Sequence, residues 1–183
     1  MGRHATFRID YEPSALQKPT MADPSTLHER DFFAWTQDQA AALRRAQQER
    51  INAPIEWAHL ADELEELGGS TKDAMQSHLA TVIEHLLKLE HSPDAWPRRM
   101  WQGSVRKARR HLNDKIADHP SLASYPRIVL ERAWLDGRDD ALQDDSIAGT
   151  AHPEECPYTL EQLRDMDWWP KNRHGLESSD FQA

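Results

Sequence analysis

Cysteine occurs once in this chain of 183 residues, at Cys156. One thiol rules out an intramolecular disulfide and any zinc centre built from several thiolates, and it suits a reducing compartment. Long apolar runs are missing as well. No stretch approaches the roughly 18 consecutive apolar residues of a membrane span, and the opening residues, which include Ile9-Asp10-Tyr11-Glu12-Pro13, lack the apolar core of a secretory signal. The expected location is the cytoplasm, with no membrane association. Basic charge is in deficit: 22 Lys and Arg stand against 31 Asp and Glu, a net charge of −9, which opposes non-specific attraction of the whole molecule to nucleic acid. There is no glycine-rich phosphate loop, no nucleophile elbow and no His-Glu-x-x-His pattern. Alternating runs long enough for a half-buried strand are also absent.

What remains is helical periodicity. The length fits one domain, and the expected organisation is an irregular N-terminal extension over 1–24, a helical bundle over 25–170 and a polar tail over 171–183. Met21 stands as a plausible alternative start, which would leave 1–20 upstream of the domain. A first helix is expected over about 26–48, with Phe32, Trp35, Ala42, Leu43 and Ala46 on one face. A second begins at Pro54 and carries Trp57, Leu60, Ala61, Leu64 and Leu67. Gly68-Gly69 reads as its stop, because glycine adopts the left-handed cap conformation cheaply; Ser70 with Asp73 then reads as the cap of a third helix over about 71–91. That third helix carries Met75, Leu79, Val82, Ile83, Leu86 and Leu89. A fourth runs between Pro97 and Pro120. A fifth starts near Tyr125-Pro126, and its apolar residues Ile128, Leu130, Trp134, Leu135, Ala141 and Leu142 lie on two sides of the wheel, which predicts the deepest burial. Thr159 with Gln162 caps a short sixth helix. The sum is an all-α, single-domain antiparallel bundle of five main helices plus a short C-terminal one, with Trp57, Leu64, Leu79, Val82, Leu86, Val105, Leu112 and Trp134 in the core.

Several stretches carry a resemblance: Asp31-Phe32-Phe33-Ala34-Trp35, Leu60-Ala61-Asp62-Glu63-Leu64-Glu65-Glu66-Leu67-Gly68, His85-Leu86-Leu87-Lys88, Pro153-Glu154-Glu155-Cys156-Pro157-Tyr158-Thr159-Leu160 and Asp167-Trp168-Trp169-Pro170. In that order, over roughly 29–170, the chain resembles the bacterial domain-of-unknown-function family twenty-nine. The resemblance implies an all-helical bacterial protein. It brings no catalytic residue with it, and within its pattern Glu63, Glu65 and His85 are the positions to inspect first.

Two constellations carry chemistry. Glu56, His59, Glu63 and Glu66 recur at i, i+3, i+7 and i+10, one face of a helix. Glu56-x-x-His59 is the spacing with which a bundle helix offers a carboxylate and an imidazole to a shared metal. With His85 across a hairpin, and His78 or His91 behind it, the candidate divalent-metal ligands are Glu56, His59, Glu63 and His85. The plain reading of the same face is a solvated surface needing no cofactor. The second constellation is helix four, where Arg98, Arg99, Arg106, Lys107, Arg109, Arg110 and Lys115 meet only Asp114 across 98–115, while 51–71 holds five acids and no Lys or Arg. The expectation is internal complementarity with helix two or with the acids of 136–145; a nucleic-acid or regulatory partner is the other reading. Cys156 follows two acids and is not expected to be nucleophilic. The functional expectation is a helical module acting through protein–protein contacts, with another protein or a second copy as partner. The alternative is a metal-dependent bundle enzyme, and the sequence does not decide between enzyme and non-enzyme.

Overall fold

Met75, Leu79, Val82, Ile83, Leu86, Leu87 and Leu89 return every three or four residues, and all seven are at most 2% exposed. This stripe is the spine of the molecule. In the computed structural model, which describes residues 24–51, 53–149 and 153–176, it lies on a helix flanked by three others. The elements are α1 (Pro24–Arg30), α2 (Phe32–Gln48), α3 (Trp57–His91), α4 (Arg98–Asp118), a 3-10 turn (Pro120–Leu122), α5 (Tyr125–Ala141) and α6 (Leu160–Arg164). The expected N-terminal extension, apart from Pro24, falls outside the described residues. No described helix is long and apolar enough to cross a membrane.

Side-chain pairings give the directions. Arg44 reaches Asp62 and Glu65, and the Lys72 ammonium sits 4.6 Å from the Phe33 ring centre, so α2 and α3 are antiparallel. His78 and His111 approach with ring centres 5.2 Å apart, and Arg98 donates to Leu89 O at 2.8 Å; α4 is therefore antiparallel to α3. Gln76 donates to Asp136, and Lys88 approaches Asp144 just past α5, so α5 runs parallel to α3. The all-α bundle expected from periodicity is what the chain forms. Leu79, Val82, Leu86, Val105, Leu112 and Trp134 are core residues, and the capping box of Thr159 and Gln162 is present.

Four expectations are corrected. The first helix breaks at Asp31, whose side chain accepts from Ala34 N to cap α2 and from both Ser121 N and Ser121 Oγ. One carboxylate thus starts a helix and ties it to the turn after α4. Burial pushes the Asp31 pKa up, but these hydrogen bonds outweigh it and hold the group below the ordinary carboxylate value.

The second correction is larger. The expected second and third helices are one helix of 35 residues, about 52 Å at 1.5 Å per residue. Gly68-Gly69 makes no turn, and Ser70 caps nothing; its hydroxyl donates back to Leu67 O at 2.7 Å. A Cβ on Gly68 would fall 2.5 Å from Thr36 Oγ1, so that glycine lets α2 and α3 touch, while a Cβ on Gly69 would meet nothing within 4 Å.

Third, α5 buries Pro126, Val129, Ala133, Trp134, Gly137 and Ala141 on one side; Trp134 and Ala141 are buried as expected, but Ile128 is 74% and Leu135 39% exposed. A Cβ on Gly137 would lie 2.4 Å from Ala80 O, so small residues set this close crossing. Fourth, Trp57 and Leu64 are only half-buried.

The last two differences share a cause. Asp31–Ser121, Phe32 beside His119, and Lys72 between Phe33 and Tyr125 bring the start of α2, the end of α4 and the start of α5 to one level, that of Lys72. The turns of α3 before that level extend past α4 and α5 with α2 as their packing neighbour. Accordingly only Ala61, Gly68 and Thr71 are buried before Met75, against nine residues from Met75 on. The result is a bundle with a two-helix hairpin projecting from one end.

Candidate docking surface

Glu56 is the residue before α3, and its carboxylate lies 2.7 Å from His59 Nδ1 on the first turn. Both side chains are largely exposed, and the hydrogen bond to Glu56, with its charge, raises the His59 pKa above the ordinary imidazole value. A stronger hold on the proton competes with metal ligation, which needs a neutral imidazole. Glu63 follows, exposed, on the same side. His85 sits 26 positions after His59 on the same unbroken helix, roughly 39 Å along its axis, with Nδ1 3.1 Å from Glu84 Oε2. The four-ligand centre of Glu56, His59, Glu63 and His85 therefore does not assemble: it required a turn at Gly68-Gly69. No group of three or more His, Cys, Asp and Glu among the described residues is arranged to hold a metal.

What the structure gathers instead is an apolar row with an acidic edge. Leu60 and Leu67, seven residues apart and 47% and 48% exposed, share a side of α3, with Ile51 (49%) and Ile55 (41%) at the hairpin tip. These are four of the nine large apolar residues exposed in the described chain, concentrated where α3 stands clear of the bundle. Glu56 and Glu63, also seven apart, flank the leucines, and Glu66 lies beyond. On the other flank Asp62 and Glu65 are already paired to Arg44, the pairing holding Glu65 below and Arg44 above their ordinary pKa values. Half of the Leu60–Gly68 stretch is thus explained by packing on α2; Leu60, Glu63, Glu66 and Leu67 are not.

The basic helix does not behave as expected. None of its Lys or Arg side chains forms an ion pair with an acid of α3 or of 136–145 among the described residues. Two arginines turn inward to backbone oxygens instead. Arg98 donates to Leu89 O, and the fully buried Arg109 donates to Gln162 O, Leu163 O and Trp168 O at 2.8–3.0 Å. Burial lowers the Arg109 pKa to about 10, still charged at neutral pH. Four others, Arg99, Arg106, Lys107 and Arg110, are exposed, with Arg106 stacked over Trp169. Sequence reading gave no sign that Arg98 and Arg109 differ from these, beyond their place on the apolar side of the wheel.

The C-terminal motifs tie their segment to the end of α3. Tyr158 donates to Glu90 at 2.7 Å, and burial, then Glu90, push its phenol pKa up. Burial likewise pushes the Cys156 thiol up, in keeping with a non-nucleophilic cysteine. Asn172, in the polar segment after Lys171, is buried and donates to Leu89 O and Ser92 O at the end of α3. A cleft of about 690 Å³ between α5 and α6 mixes Arg127 and Arg164 with Glu161 and Asp165, and none of the expected site residues lines it.

Fold and surface together describe an all-α bundle protein with a projecting hairpin. The chain belongs to the family described as Domain of unknown function DUF29, whose pattern matches residues 27–169. It is also similar to a crystal structure of an alpha-helical protein of unknown function from Rhodospirillum rubrum, at 22% identity and a TM-score of 0.62, over 77% of this chain and 90% of that one. At that identity the likeness is one of fold. No curated protein matches the chain.

Proposed function

We propose that this chain is a cytoplasmic protein–protein contact module whose α2–α3 hairpin seats an amphipathic helix with Lys or Arg beside its apolar row. The observation that carries the reading is the half-exposed Leu60/Leu67 row beside Glu56, Glu63 and Glu66 on turns of α3 that, among the described residues, pack on α2 alone. Its heptad spacing suits a partner helix laid along α3. Covering what remains exposed of each leucine contributes about 1 kcal/mol, and exposed ion pairs about 0–1 kcal/mol each. Against the cost of association, about 4 kcal/mol or more, these contributions make the contact a weak, transient one. The lone cysteine supports the compartment.

The test is fluorescence anisotropy with a labelled helical peptide of about three heptads, leucine on one row and lysine beside it. Binding should be weak and reversible, growing only at high concentration, and salt-sensitive. Leu60→Asp with Leu67→Asp should weaken it tenfold or more without lowering the melting temperature, because neither leucine is core. No binding, or binding indifferent to that double change, contradicts the proposal.

A further inference from the structure

Resting on the reading of the hairpin as a docking surface, we infer that its partner is the outer face of α4 on a second copy of this chain. That face has the required chemistry. Trp96, just before α4, is 84% exposed and Met100 61%; with Gly103, where a Cβ would meet nothing within 4 Å, they form a row seven residues long. Arg99 and Arg106, also seven apart, run beside it with Arg110 beyond, and none of the three has an acidic partner among the described residues. The repeat on α4 thus matches that of Leu60/Leu67 and Glu56/Glu63 on α3.

When two helices pack antiparallel, rows on the same side of each face one another. On α3 the acids, and on α4 the arginines, precede the apolar row in the same rotational sense. Antiparallel docking therefore sets Glu56 and Glu63 against Arg106 and Arg99, Leu60 against the gap at Gly103 and Leu67 against Trp96, with Met100 between the two leucines. Two hairpins docked on each other would set acid against acid, so charge selects the hairpin–α4 contact over the symmetric one. The two faces cannot meet within one molecule. Arg98 lies beside Leu89, 29 residues and roughly 43 Å along α3 from Leu60. The contact is therefore head-to-tail, and repeated copies form rings or open chains rather than a closed two-fold dimer.

Sedimentation velocity of the full chain tests this. Assembly should grow with concentration and weaken with salt. Glu56→Lys with Glu63→Lys should abolish it, as should Arg99→Glu with Arg106→Glu, each variant keeping the wild-type circular dichroism. Mixing the two variants should restore it, because each supplies the charge the other now needs. A chain that stays monomeric, variants that assemble as wild type does, or a mixture that does not restore assembly overturns the inference. Assembly abolished by nuclease overturns it in favour of a phosphate-backbone ligand on α4. A monomeric chain that still binds the lysine-flanked peptide defeats this inference and leaves the hairpin reading intact; failure of the peptide as well defeats both.

Discussion

Arg109 shows how much a single buried side chain can organise. Its guanidinium ties α4 to carbonyl oxygens at Gln162, Leu163 and Trp168, with Trp169 stacked 5.1 Å away. The planar fork spreads its donors over three nitrogens, one to each acceptor, a span the single nitrogen of an ammonium does not cover. Arg109→Ala should cost about 2–4 kcal/mol in denaturant unfolding, because it leaves buried carbonyls unpaired. Arg109→Lys should recover less than half of that. Stability within 0.5 kcal/mol of wild type for either change would show the C-terminal segment held by other contacts. Asp31 does comparable work at the other end of the bundle, capping α2 and gripping Ser121. Both residues were visible in the sequence only as charges. The burial that decides their role depends on partners 54 and 90 positions away, which no local pattern encodes.

At the scale of elements, α4 and α6 were legible because their signals are local: the apolar stripe Trp101, Val105, Ala108 and Leu112, and the capping box of Thr159. The long helix was not. A glycine pair marks a helix end and a close helix crossing equally well, and only a facing Thr36 distinguishes them. The same ambiguity hid the buried face of α5, where Gly137 and Ala133 lie against α3 and Ile128 faces outward. The two glycines now make opposite predictions. Gly69→Ala should stabilise by up to about 1 kcal/mol, as alanine does inside an exposed helix. Gly68→Ala should destabilise, because Thr36 or α2 itself must move. Melting temperatures of the two single variants decide this. If both substitutions destabilise equally, the pair is a turn after all.

For the whole molecule, sequence reading singled out a stretch the fold leaves exposed, with a ligand set the fold does not gather. Glu56, His59 and Glu63 do share a face, but the face borders an exposed leucine row; His85, the partner that would have made it a metal site, is carried to the far end of the bundle. The surface now assigned to the hairpin and the exclusion of the four-ligand centre both depend on α3 running unbroken from Trp57 to His91. The most direct measurement is a spin-label distance between two exposed positions on either side of the glycine pair, His59→Cys and Ser77→Cys, with Cys156 replaced by serine. An unbroken helix separates the backbones at these sites by 18 residues, about 27 Å, and the distance distribution should centre near that value. A chain that reverses at Gly68-Gly69 would set the two positions side by side on packed helices, about 10 Å apart, and a distribution centred there would contradict the projecting hairpin and everything assigned to it.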